Sequence, residues 1–267
     1  MDLDSSGDGT NVRRLTQDEE AENYPNWSPD GKQLVYQRDL NGSALYTIDA
    51  DGTNQKRISP TPAFDVTPDW SPDGRQIIFS RLDGPITPGQ RPQTEIHVIN
   101  ADGTGDCVVL PKSDFSVEPR WSVNNFVVFM SYRTGTQQIF TMKTDGSQLI
   151  QRTTEGSNGD PAWSPDGNKI SFGSNREGNG KLNIFTMNSD GSEVKQISFF
   201  QPPMESGDTN WSRDGKQITF EYDISGRLQS DPDAFAEVWT VNMDGSQPRS
   251  TGQKCSGVGC APRWRPK

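Results

Sequence analysis

Histidine occurs once in this chain, cysteine three times, and no apolar stretch is long. Each shortage removes a class of function. A single His leaves no histidine-built metal site, and no Cys-x-x-Cys or Cys/His cluster suggests zinc. Runs of about 20 apolar residues, which a membrane-spanning helix needs, are absent, so membrane insertion is not expected. With only 30% hydrophobic residues, 26 Gly and 19 Pro, long amphipathic helices are not expected either. Lys and Arg form no run, and the formal charge is −10. Such a surface repels phosphates, which argues against nucleic acid as a partner. Neither Gly-x-Ser-x-Gly nor a Gly-rich Lys-Ser/Thr phosphate loop is present. The first residues, MDLDSS, carry no export signal, as expected of a cytoplasmic protein or of a domain excised from a longer one.

What the chain does have is periodic. Its 7 Trp, 12 Phe and 5 Tyr argue against disorder. Trp27, Trp70, Trp121, Trp163, Trp211 and Trp264 are separated by 43, 51, 42, 48 and 53 residues. WSPDG follows at 27, 70 and 163, WSRDG at 211 and WSVNN at 121. Pro-Asp-Gly closes a tight hairpin, because Pro presets φ and Gly accepts a positive one. A second strand follows with an aromatic at a fixed place: Tyr36, Phe79, Phe129, Phe172 and Phe220. An alternating third strand comes next (LYTI, IHVI, IFTM twice, VWTV), ending in Asp-Gly-Thr/Ser at Asp51, Asp102, Asp145, Asp190 and Asp244. A short fourth strand closes each repeat, as in QKRIS and VKQIS. Strand, turn, strand, loop, strand, turn, strand over 42 to 53 residues describes one propeller blade. The expected fold is an all-β propeller in one domain spanning 1–267, with five complete blades. A partial sixth blade is expected to be shared by the termini, from NVRRLT near the start and Ala261–Lys267 at the end. The five repeat tryptophans are expected to be largely buried near the hairpin edge.

The phrase WSPDGxxIxF … IFTMxxDGSxxxxIS resembles the TolB-like β-propeller repeat family, which is WD-repeat-like, over nearly the whole chain. That resemblance implies a rigid platform for other proteins, in a periplasmic or secreted setting. The corresponding function is a non-catalytic scaffold for a protein or peptide partner, acting as a monomer. The alternative is an accessory or gating propeller excised from a larger peptidase-like or carbohydrate-active enzyme. Some similar propellers are metal-dependent pectin lyases, whose clustered histidines this chain lacks. His97 aligns with Tyr46, Phe140, Phe185 and Trp239, an aromatic packing position rather than a catalytic one.

The two turns of each repeat share one edge and barely vary. The opposite edge carries the strand-two-to-three loops, which are long in repeats two (Leu82–Gln93) and five (Asp223–Ala236), as if raising two walls beside the channel mouth. It also carries Phe64, Phe115, Phe199, Phe200 and Met204 on polar connections, the expected partner-binding residues. An acid precedes each Trp: Glu22, Asp65, Glu118, Asp160 and Asp208. Converging at the channel mouth, these could hold a hard cation such as Ca²⁺ and favour cationic partners in a salt-sensitive way. The other reading pairs them between blades with Arg38, Arg81, Arg133 and Arg176. No other cofactor is indicated. Asp2, Asp4, Ser6 and Asp8 faintly resemble a calcium loop, but Arg13 stands where its glutamate belongs. Cys107 is expected to be a small buried hydrophobe, and Cys255 and Cys260 are close enough in sequence to bridge.

Overall fold

The computed structural model describes residues 14–17, 20–39, 42–60, 64–87, 89–178, 182–199, 205–223, 235–256 and 262–265. Among them there is no helix, and the strands form five four-stranded antiparallel sheets, each built from consecutive strands. Blade 1 holds β1 (Glu22–Trp27), β2 (Gln33–Asp39), β3 (Ser43–Asp49) and β4 (Lys56–Arg57). Blade 2 holds β5 (Asp65–Trp70), β6 (Gln76–Leu82), β7 (Thr94–Asn100) and β8 (Cys107–Ser113). Blade 3 holds β9 (Ser116–Trp121), β10 (Phe126–Ser131), β11 (Gln138–Lys143) and β12 (Ile150–Gln151). Blade 4 holds β13 (Asn158–Trp163), β14 (Lys169–Ser174), β15 (Asn183–Asn188) and β16 (Lys195–Gln196). Blade 5 holds β17 (Glu205–Trp211), β18 (Gln217–Asp223), β19 (Phe235–Asn242) and β20 (Arg249–Ser256). Arg14–Gln151, with blades 1 to 3, make one compact unit, and Arg152–Arg265, with blades 4 and 5, make another.

The turns form because their side chains replace missing backbone partners. In the first hairpin of blade 1, Ser28 Oγ donates to Asp30 Oδ1 at 2.7 Å and accepts from the Gln33 amide at 2.9 Å. The same bonds recur at Ser71, Ser164 and Ser212. In blade 3, Asn125 takes the left-handed position (φ 60°) that Gly fills elsewhere, and the turn is one residue shorter. In the second hairpin, Asp51 Oδ1 accepts from both the amide and the hydroxyl of Thr53, at 2.9 and 2.6 Å. Hydrogen bonds to the turn aspartates Asp30, Asp102, Asp145, Asp190 and Asp244, led by the Ser or Thr hydroxyl, hold their pKa values below the ordinary carboxylate range.

The core lies between neighbouring blades of each unit. Val35, Leu45 and Ile58 of blade 1 pack on Trp70, Ile77, Phe79 and Ile99 of blade 2. Ile78, Ile96, Val98 and Leu110 then pack on Val127, Phe129, Phe140 and Met142 of blade 3. In the other unit, Ala162, Ile184 and Ile197 meet Trp211, Ile218, Phe220 and Val241. A second contact ties blades together through the backbone. The glycine of each of these second hairpins rests on a carbonyl in, or directly after, the preceding fourth strand: Gly103 on Ile58, Gly146 on Val109, Gly191 on Arg152 and Gly245 on Ile197. Gly52 rests in the same way on Leu15, whose side chain packs on the Leu34, Tyr36 and Ile48 cluster. At the other end, Arg263 repeats the carbonyl contact that Arg120 makes, each reaching the proline before it. No sixth sheet is formed among the described residues, so the expected partial blade is not seen there.

The tryptophans only partly match expectation. Trp70 and Trp211 are buried and donate from Nε1 to Asn26 and Ala162 carbonyls at 3.1 Å. Trp27, Trp121 and Trp163 are half-buried, because an indole at the end of an edge hairpin keeps one rim in solvent. Cys107 is exposed, correcting the expectation of a buried residue: it opens β8, the outermost strand of its blade. Cys260 lies outside the described residues. Blades 2 and 5, which carry the long connections, also differ from the others in their fourth strands. Their fourth strands run to seven and eight residues, against two in blades 1, 3 and 4.

Candidate functional site

Every first strand carries the same irregularity. Its pairing with the second strand slips in each blade. At the slip one non-glycine residue has positive φ: Tyr24, Thr67, Glu118, Asp160 and Asp208, all between 48° and 59°. A left-handed non-glycine costs about 1 kcal/mol, so its fivefold recurrence marks a bulge imposed by the fold. It also explains why the acids before Trp fall in two registers. Glu118, Asp160 and Asp208 are the bulged residues themselves, whereas Glu22 and Asp65 sit two residues earlier, opposite Arg38 and Arg81.

The two registers have different environments. Glu118 is buried, and its amide donates to Thr67 Oγ1 at 3.1 Å. The Asp160 carbonyl accepts from Thr209 Oγ1 at 2.9 Å, and its carboxylate lies against Gly207. Glu22 accepts from Thr16 Oγ1, while Arg38 pairs with Glu20 at 2.7 Å. Asp65 is fully buried and clasped bidentately by Arg81 at 2.6 and 2.9 Å. That pair forms within one blade, not between blades. Burial pushes the Asp65 carboxyl up, against the opposing pull of Arg81. Among the described residues, no three His, Cys, Asp or Glu side chains gather as a metal-binding group.

Arg81 belongs to a recurrent arrangement that the spacing does not announce. Facing residues of the second and third strands stack as ring pairs: Tyr36 on Tyr46, Phe79 on His97, Phe129 on Phe140 and Phe172 on Phe185, with centroids 5.5 to 6.0 Å apart. An arginine lies over a ring of the pair in each: Arg38, Arg81, Arg133 and Arg176, 5.0 to 5.4 Å from a centroid. In blade 5, Tyr222 takes that role over Trp239 at 4.9 Å. The arginines follow their second-strand aromatic by two residues in blades 1 and 2 and by four in blades 3 and 4, which hides the common role in the sequence.

His97 fills the aromatic position expected of it and adds polar contacts that Phe would lack. Its Nδ1 meets Asp106 at 2.7 Å and its Nε2 meets Glu95 at 3.3 Å. Asp106 also accepts from Arg81 at 2.7 Å; although burial opposes its charge, His97 and Arg81 outweigh that and hold its pKa low. His97→Phe should therefore keep the stack and lose the short bond to Asp106 together with the longer one to Glu95. The expected cost is about 1–2 kcal/mol in urea unfolding. A loss above about 4 kcal/mol would show that the ring packing is not what the position provides.

Of the expected partner-binding residues, Phe64 and Phe115 are half-buried and anchor the long-loop edge through backbone bonds to Leu82 and Tyr132, at 3.0 and 3.1 Å. Phe199 is 67% exposed, but its ring lies beside Gly245, in a second hairpin. It therefore stands by a turn that the sequence assigns to the opposite edge. Phe200 and Met204 lie outside the described residues. Ring stacking and arginine place further groups near Phe115: Tyr132 at 6.3 Å, and Arg91 of the long loop 3.6 Å from the Tyr132 centroid.

Four-stranded antiparallel blades, each closed by two side-chain-bonded turns, define a β-propeller. Comparison with known proteins narrows that class. The family description "TolB beta propeller domain" matches residues 86–255, well over half of the chain, and the chain belongs to that family. The Tol-Pal system protein TolB of Francisella tularensis subsp. mediasiatica is 28% identical over 107 residues, covering 39% of this chain. That match spans 25% of the relative's length. The putative TolB from Agrobacterium tumefaciens superposes with a TM-score of 0.79 at 25% identity, covering 95% of this chain and 89% of that one. TolB from Acinetobacter baumannii gives 0.74 at 18% identity, over 95% and 59%. Enzymes share the architecture too: an oligogalacturonate lyase in complex with manganese gives 0.63 at 16% identity, over 88% and 66%.

Proposed function

We propose that this chain is a non-catalytic scaffold that engages a protein or peptide partner on the edge bearing its strand-two-to-three loops, in a periplasmic or secreted setting. The supporting observation is a contrast between edges. The hairpin edge repeats one set of hydrogen bonds from blade to blade, as turn geometry demands. The loop edge varies, and in blades 2 and 3 it carries Phe115, Tyr132, Arg91 and an Ile86 that is 62% exposed. Aromatic and arginine side chains on a rigid scaffold make the strongest protein contacts. Family membership fits a scaffold, and His97 is a buried ring stacked on Phe79.

The face is tested with two double variants compared in capture of the partner from an envelope extract. Phe64→Ala/Phe115→Ala should reduce capture at least tenfold, while Asp102→Ala/Asp145→Ala on the hairpin edge should bind normally. If the hairpin pair abolishes capture and the Phe pair, folded by circular dichroism, does not, the wrong edge has been chosen.

A further inference from the structure

The four arginines laid over ring pairs are not equally satisfied. In blade 2 the guanidinium of Arg81 is saturated by carboxylates: Asp65 grips Nε and Nη2, and Asp106 holds Nη1. In blade 1, Arg38 takes Glu20. Blade 3 differs. Arg133 is held by hydroxyls alone, Nε by Ser131 at 3.2 Å and Nη2 by Ser113 and Ser116 at 3.3 and 3.5 Å. Its Nη1 has no hydrogen-bond partner among the described residues, and Asp114 acts on it only from beyond ion-pair distance. Half-burial on Phe129 and Phe140 strips part of its water, and that desolvation lowers its pKa. Sequence register shows how the difference arises. Where blade 2 has Asp65, blade 3 has Ser116; where it has Asp106, blade 3 has the exposed Leu149. Blade 4 repeats the pattern: among the described residues the Arg176 guanidinium is bonded by Ser174 and Asn158, and Val194 stands in the place of Asp106.

A partly desolvated guanidinium without a carboxylate is costly to keep and strengthens any carboxylate bond it makes. Beside Arg133, Tyr132 carries the stacked Arg91, and Phe115 packs against the same ring. Two cations and two aromatics thus adjoin one point of a chain whose net charge is −10. We propose that Arg133 receives an aspartate or glutamate side chain from an acidic segment of the partner protein, with Arg91, Tyr132 and Phe115 seating the residues around it. Asp106 on Arg81 is the internal template for that contact. The assignment rests on the scaffold reading and names the partner's chemistry at one point of the loop edge. Nucleic acid fits the site less well, since two arginines at one point do not make the extended basic track that a phosphate backbone needs.

The test uses the whole chain, ¹⁵N-labelled, titrated at low salt with a blocked peptide containing three glutamates and a leucine. The same peptide with glutamines, inorganic phosphate and a single-stranded oligonucleotide are the comparison probes. The glutamate peptide should shift the Arg133 Nε–H signal to saturation and leave Arg81, already occupied, unmoved. Arg133→Gln should weaken that peptide at least tenfold, about 1.4 kcal/mol, and Arg133→Lys should restore part of the loss. The proposal is overturned if the two peptides act alike, if Arg133→Gln binds as tightly as the parent, or if phosphate or the oligonucleotide moves Arg133 while the glutamate peptide does not. Partner capture separates it from the scaffold reading: a chain that loses capture with the Phe pair yet keeps it with Arg133→Gln retains the face and loses this contact.

Discussion

Replacing Arg81 by Met should cost about 3–5 kcal/mol, one of the largest single-residue losses available in this chain. Asp65 is 0% exposed and has Arg81 as its bidentate partner. Met keeps the packing over Phe79 but strands a carboxylate in the protein interior. Such a carboxylate regains a proton instead of remaining charged, so its pKa, already pushed up by burial, climbs further. The sign of the pH dependence follows. A carboxyl whose folded pKa lies above its unfolded value loses stability as pH rises through that window. Arg81→Met should therefore become more stable as the pH falls from 7 towards 5. Adding Asp65→Val should recover at least half of the loss, because two apolar groups no longer need each other's charge. Urea unfolding of the three proteins at two pH values measures all of this. A loss below about 1 kcal/mol for Arg81→Met would mean that the pair lies in solvent-like surroundings.

Gly146→Ala should be comparably severe, and for a backbone reason. Gly146 has φ +81°, and a Cβ there would stand 2.0 Å from the carbonyl oxygen of Val109 on the preceding blade. The oxygen belongs to the fourth strand and cannot swing aside as a side chain would. The expected cost is at least about 3 kcal/mol, strain and displacement together. Gly135 supplies the control. Its φ is +92°, yet nothing lies within 4 Å of the same added methyl. Gly135→Ala should cost only about 1 kcal/mol. Equal losses at the two positions would show that conformation, not the approach to Val109, sets the penalty.

The architecture was readable because its signals are local and repeated. Ser-Pro-Asp-Gly and Asp-Gly-Thr/Ser make their own hydrogen bonds within a few residues, so each copy states its turn independently of tertiary context. The stacked rings were readable as a column of aromatics, and His97 could be placed in it. The first-strand bulge was not. Tyr24, Thr67, Glu118, Asp160 and Asp208 share no residue type, since the left-handed backbone there is forced by pairing and not by local preference. The arginine shelf was hidden by its two offsets from the ring. The sequence can show that an acid and an arginine occur near the same edge. Whether they meet, as Asp65 and Arg81 do, or a serine faces the arginine, as Ser116 faces Arg133, depends on strand register. The place of Phe199 depends on strand length in the same way: β16 is only two residues long, and the Phe199 ring lies beside the Gly245 turn.

The glycine seats also give each unit a direction. The second hairpin of a blade rests on a carbonyl supplied by the segment before it, Gly103 on Ile58 and then Gly146 on Val109, while its own fourth strand serves the next. Support therefore passes from earlier blades to later ones through the backbone. In a chain of nearest-neighbour couplings, local opening spreads to adjoining repeats before it reaches distant ones. Transient release of β8 would unseat the turn at Gly146, but release of that turn would leave β8 still paired with β7. Amide exchange in such a system is asymmetric. Protection at the Gly146 hairpin is therefore expected to fall when β8 is weakened, whereas β8 should keep its protection when that hairpin is loosened.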